Sequence, residues 1–253
     1  MSGHSKWAKI KHAKGAADAK KGKIFSRIAK EIMVLVKQGG SDPGMNPSLR
    51  NALQKAKSVN MPNDNIDRAI KKGAGELGSA VFEEITYEGY AGGGVGLIVK
   101  VLTDNKNRAA AEIRNVFKKS NSDFAALGAV SRGFERKGQI IVEAAGQDED
   151  KVMELVLNAG ADDMVSDADA FTISATAQAF SDVCEALQKA GIQPASAEVG
   201  LFPLTLVPVK DIGVARGVNK FVAALEDHED VQNVYTNMDV DDSIAEQLDA
   251  DEE

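Results

Sequence analysis

The chain has 253 residues, 43 % of them apolar and 27 % charged, which allows two or three globular domains with sizeable cores. Its apolar runs are short and broken by Lys, Glu or Gly, so no membrane span is expected, and the opening stretch lacks the apolar run of a signal peptide. The net charge of −8 hides a split: residues up to Gly75 carry 16 Lys/Arg and 5 Asp/Glu (16 − 5 = +11), the remainder 14 and 33 (14 − 33 = −19).

Met1 to about Lys21 is rich in Gly, Ala and Lys and has almost no large apolar side chains, so it cannot build a core and is expected to be a mobile arm. From Ile24 the pattern is helical. Ile24, Ile28, Ile32, Leu35 and Val36 fall on one face, with Lys23, Arg27, Lys30 and Lys37 on the other, and Gly39-Gly40 ends the helix. Asn46 before Pro47 reads as the cap and first turn of a second helix, with Leu49, Leu53 and Ala56 inward. A third helix runs from about Asn63 to Lys72 and stops at Gly73. Arg50 and Lys57 on the second helix, and Arg68, Lys71 and Lys72 on the third, are expected to point outward.

Phe82–Tyr90 and Val95–Thr103 read as strands joined by a glycine hairpin, followed by a helix from about Asn107 to Lys119 and a strand near Ala129–Phe134. From Gly138 to about Pro203 the order is β-α-β-β-α-β, that of a ferredoxin-like unit. Leu204–Val209, Val214–Leu225 and Val231–Thr236 then read as strand, helix and strand. They would complete the earlier β-β-α-β segment around the inserted unit. The expected fold class is therefore α+β with three domains: residues 1–78 helical, 79–134 with 204–240 a discontinuous α+β domain, and 135–203 ferredoxin-like. Residues 241–253 hold seven acids and no base, and read as a frayed acidic tail.

Catalytic chemistry finds little support. The histidines His4, His12 and His228 have no partners at metal-ligand spacing, no serine sits in a nucleophile elbow, and Asp162-Asp163 with Asp167 and Asp169 lack the pattern of a calcium loop. No metal, cofactor or small-molecule substrate is expected. The cluster Gly92-Gly93-Gly94 leads into a β-branched strand, which fits a hairpin rather than a phosphate loop. Cys184, the single cysteine, excludes an internal disulfide and fits a reducing, cytoplasmic compartment.

Chemistry concentrates in the basic segment. Gly3, His4, Ser5, Lys6 and Trp7 are followed by Lys9, Lys11, His12, Lys14, Lys20, Lys21 and Lys23. Lysines at this density neutralise phosphates and release counterions. Trp7 is the only tryptophan; it either stacks on an unpaired base or folds back as a plug on the helices. Only Arg27, Arg50 and Arg68 are arginines here, which favours charge neutralisation over bidentate base readout. Nucleic acid is the expected partner, and the small residues and indole of Gly3–Trp7 suit folded RNA better than the major groove of DNA.

Residues Gly3–His12 together resemble the opening of the YebC/PmpR proteins. So do Asn60–Ile66 with Ala69–Gly73, Tyr87–Tyr90, Thr103–Arg108 and Asp230–Asn237. Ser120–Leu127 departs from the glycine-rich turn usual in that family. The resemblance spans nearly the whole chain. It implies a helical N-terminal domain followed by two α+β domains, one inserted in the other. It also implies one of two non-catalytic roles: a ribosome-associated translation factor assisting proline-rich stretches, or a DNA-binding transcriptional regulator.

Overall fold

The computed structural model describes residues 18–77 and 82–250, with the side chains of 18–21, 242, 249 and 250 left out. The first helix, α1 (Asp18–Gly39), starts a turn and a half before the point where its apolar face begins. Ile28, Ile32 and Val36 on that face meet Leu49, Ala52 and Ala56 of α2 (Pro47–Ser58) and Ile66 and Ala69 of α3 (Asn63–Gly73). Gly73 makes the α1–α3 approach possible, since a Cβ there would lie 2.7 Å from the Met33 carbonyl oxygen.

Asn46 ties the first two helices together. Its Oδ1 caps α2 by accepting from Leu49 N at 3.1 Å, while Nδ2 donates to the carbonyls of Leu35 and Gly40 at 2.9 and 3.0 Å. All three bonds are buried or nearly so, which is why a polar side chain only 6 % exposed is tolerated.

Helix–sheet elements follow. β1 (Glu83–Tyr90) and β2 (Gly96–Thr103) form the expected antiparallel hairpin, with Tyr90 opposite Gly96. The three glycines between them form a tight turn, with Gly93 and Gly94 at φ +73° and +75°, a region other residues rarely adopt. A side chain at Gly92 or Gly93 would meet Val214, its Cβ lying 3.5 or 3.2 Å from Cγ1. α4 (Lys106–Lys119), β3 (Asp123–Ala125), α7 (Ile212–Glu226) and β9 (Val231–Thr236) complete a four-stranded sheet of order β3-β1-β2-β9. Phe117 of α4 lies in edge contact with Phe221 of α7 and stacks on Phe124 of β3.

The inserted unit is β4 (Phe134–Glu143), α5 (Glu149–Asn158), β5 (Asp163–Ser166), β6 (Ala170–Ala175), α6 (Phe180–Lys189) and β7 (Ser196–Pro203). Its strands lie antiparallel in the order β5-β6-β4-β7, the ferredoxin-like arrangement. Ile140, Val142, Phe171 and Ile173 of the sheet bury against Val152 and Val156 of α5 and Val183 and Leu187 of α6.

The fold is α+β, as the sequence pattern implies. By contacts the described residues form two compact units: one holds residues 18–77, 82–130 and 209–236, the other 131–208 and 237–250. The helices of the basic segment therefore share a unit with the first sheet.

Three expectations need correction. The strand near Ala129–Phe134 is a turn followed by a 3-10 helix (Ser131–Gly133), with β4 starting only at Phe134. The cause is Glu88, 2 % exposed, whose carboxylate accepts from Gly128 N and Val130 N at 2.9 and 2.7 Å and draws the chain into a turn. The strand expected over Leu204–Val209 shrinks to β8 (Val207–Pro208), paired in parallel with β10 (Met238–Asp239); Pro203 and Pro208 each remove a donor that a longer ladder would need. The acidic end is not a frayed tail throughout. Asp242–Ala250 forms α8, with Ile244, Ala245 and Leu248 at helical spacing and buried.

Asn46→Ala should lower unfolding stability by about 2–3 kcal/mol, through the lost cap and two stranded carbonyls. Urea unfolding measures this, and Asn46→Asp should recover only part because it keeps the acceptor without the donors.

Candidate nucleic-acid interface

The basic residues of the helical segment divide into two groups. Lys23, Arg27 and Lys30 recur on one face of α1, and that face meets the C-terminal end of α7 and the turn leading into β9. Lys23 pairs with Asp227, and Arg27 donates to the Glu226 carbonyl. Lys30 donates to the Glu229 carbonyl at 3.1 Å and to Asp230 Oδ1 at 2.7 Å. A helix C-terminus presents carbonyls and partial negative charge, so cations from a neighbouring helix are favourable there.

Asp230 is the centre of this contact. Its side chain is 1 % exposed and receives three donors: Lys30, Arg108 of α4 at 2.8 Å, and Thr103 at the end of β2 at 3.0 Å. Its backbone carbonyl accepts from Leu102 N at 2.8 Å, and its N–H donates to His228 Nδ1 at 3.1 Å. That bond assigns the histidine proton to Nε2, which faces Glu112 Oε2 at 2.8 Å. Burial alone would push the Asp230 carboxyl up, but the hydrogen bonds from Lys30, Arg108 and Thr103 outweigh it and hold the group below its ordinary value. Arg108 is raised in turn by its bond to Asp230, whereas Arg27 is lowered because burial outweighs the nearby Glu226 and Asp227.

Lys23, Arg27 and Lys30 were expected to form an outer phosphate-binding face. They are instead engaged with the body of the same unit, and the side chain of Lys30 is only 14 % exposed. Arg50, Lys57, Arg68, Lys71 and Lys72 are exposed, as is Lys37 at the end of α1. Arg50 also donates to the carbonyls of Pro43 and Gly44, steadying the turn before α2. Lys57, Lys71, Lys72 and Lys37 lie in the last turns of their helices, where a cation also complements the helix dipole. Close packing of α1 on α3 brings Lys37 and Lys72 to one groove, of about 510 Å3, lined also by Met33, Val34, Gln38 and Phe82. Gly3, His4, Ser5, Lys6, Trp7, Lys9, Lys11, His12 and Lys14 lie outside the described residues, as do the side chains of Lys20 and Lys21.

Sequence reasoning missed the Asp230 network and the groove. A signal for the first was present: Thr103 and Arg108 belong to one of the motifs that carry the resemblance, and Asp230 opens another. Among the described residues no cluster of metal-ligating side chains is found, and no helix is long and apolar enough to cross a membrane. Cys184 is half-buried, and burial pushes its thiol up to about 11, against a nucleophilic role.

Fold and charge layout define an α+β protein with a lysine-rich helical head. The family model for the TACO1/YebC N-terminal domain matches residues 5–76, and that for the TACO1/YebC second and third domain matches residues 82–238. The chain belongs to the TACO1/YebC family. A probable transcriptional regulatory protein of Brachyspira hyodysenteriae is 50 % identical over 98 % of this chain and 100 % of its own. One from Opitutus terrae is 48 % identical over 96 % and 98 %. The crystal structure of a conserved hypothetical protein from Aquifex aeolicus superposes with a TM-score of 0.83 at 42 % identity, covering 94 % of this chain and 98 % of that one.

Two consequences of the Asp230 network are measurable. Asp230→Ala should destabilise the protein by about 3 kcal/mol, because the nearly buried Lys30 ammonium loses its counter-charge and Thr103 its acceptor. A depressed carboxyl contributes fully above its unfolded value of about 4 and loses that contribution as pH falls through its lower folded value. Unfolding curves of the parent should therefore weaken more steeply with acid below that point than those of Asp230→Asn.

Proposed function

We propose that this chain is a non-enzymatic gene-expression factor that binds ribosomal or transfer RNA through its basic N-terminal segment. The observation that carries the reading is the charge split, +11 up to Gly75 against −19 beyond it. A polyanion attracts the first part and repels the rest, which orients the protein and favours release. Exposed Lys37, Arg68, Lys71 and Lys72 extend the lysines of the arm on the helical head. The dominance of lysine over arginine supports binding through phosphates, and Gly3–Trp7 offers small residues and one indole suited to a folded RNA cleft. The proposed setting is the cytoplasm, where a lone thiol such as Cys184 stays reduced.

The name probable transcriptional regulatory protein, carried by relatives, favours a second reading: a DNA-binding regulator using the same basic surface. Sedimentation of lysate through sucrose, with and without ribonuclease, separates the two. Ribonuclease-sensitive migration with ribosomal particles supports the RNA reading. A protein that stays in light fractions at low salt but crosslinks to genomic DNA supports the other.

Replacing Lys6, Lys9, Lys11 and Lys14 by Ala should weaken binding to single-stranded RNA. It should also lower the log–log salt slope by roughly 3, as about four phosphate contacts are lost. An unchanged slope would show that the arm is not the contact surface.

A further inference from the structure

The groove between α1 and α3 joins apolar surface to cations, and its chemistry is specific. Met33, Val34 and Phe82 supply an apolar wall; Lys37 and Lys72 supply exposed positive charge on either helix; Gln38 carries both a donor and an acceptor. Its volume of about 510 Å3 falls within the range of small-ligand sites, roughly 300–1,000 Å3. The groove is built in by backbone geometry. Gly73 lets α3 approach Met33 and Val36 more closely than any side chain would allow, and Gly75 turns the chain away at φ +86°.

We propose that this groove receives one unpaired nucleotide of the bound RNA. The base enters against Phe82 and Met33, its edge meets the Gln38 amide, and its flanking phosphates lie on Lys37 and Lys72. Charge decides the occupant. Two lysines beside an apolar floor disfavour a cationic or purely aliphatic guest and match a ring that carries anions at both ends. Each base has a π-face, so the site would prefer single strands over duplex without reading sequence. Paired bases stay stacked within the helix and cannot enter. The inference rests on the RNA-binding reading and adds to it a preference for unpaired strand.

The test is to measure binding of the full chain to a short single-stranded RNA carrying one fluorescent adenine analogue, and to a duplex RNA of equal charge. Both are repeated with Ala74→Trp and with Lys72→Ala. Ala74 lines the groove at its exposed rim, so a tryptophan there fills the groove without entering the core. The expected result is that Ala74→Trp weakens single-strand binding about five- to 150-fold, the range of one lost stacking contact, while duplex binding is unchanged. Fluorescence of the analogue should change on binding to the parent and not to this variant. Lys72→Ala should weaken both ligands and reduce both salt slopes. If Ala74→Trp alters neither binding nor fluorescence while the parent binds RNA, the groove is not a nucleotide site and the RNA-binding reading survives. If the parent binds neither RNA, both fail.

Discussion

A buried carboxylate must be met by donors or it will not stay charged, and Asp230 sets the layout of the first unit by meeting this demand three times. Its partners come from separate parts of the chain: Lys30 from α1, Arg108 from α4 and Thr103 from the end of β2. Its backbone adds a bond to Leu102, and through His228 it reaches Glu112. Helix α1 is thereby fixed to the sheet at one place along its length. Around that place, Lys23 and Arg27 extend the contact towards Asp227 and Glu226.

This arrangement gives the basic helices two roles. Cations in the middle of α1 hold the helical head to the acidic turn of the same unit. Cations near the ends of α1, α2 and α3 remain exposed, where a polyanion has access to them. Part of the negative charge in the rest of the chain thus has a structural use at residues 226–230, beyond general repulsion. A head fixed in orientation loses less freedom on binding than one swinging on a linker, so more of the phosphate attraction appears as affinity.

Much of the fold was legible because local chemistry and global packing agreed. The interval between Ile28, Ile32 and Val36 gave α1, Asn46-Pro47 gave the start of α2, and the β-branched runs around the glycine turn gave the β1–β2 hairpin. The β-α-β-β-α-β rhythm gave the inserted unit. The errors arose where a distant group decides. Nothing local announces that Glu88 will take the amides of Gly128 and Val130, so a turn was read as a strand. The acids after Val240 masked the spacing of Ile244, Ala245 and Leu248. For the candidate interface, periodicity placed Lys23, Arg27 and Lys30 correctly on one face of α1, but a helical wheel does not say what that face meets. The groove depends on how close two helices come, a distance set by Gly73 and invisible until the helices are assembled.

The central claim is that the Asp230 contact makes the helical head and the first sheet one cooperative body. Native-state hydrogen exchange at increasing urea tests it most directly. Amides in the middle of α1 are expected to open with the same free energy as those of β2 and β9. In Asp230→Asn, α1 should open separately and at lower energy. Should α1 already open well below the sheet in the parent protein, the head is an independent module and the account is wrong.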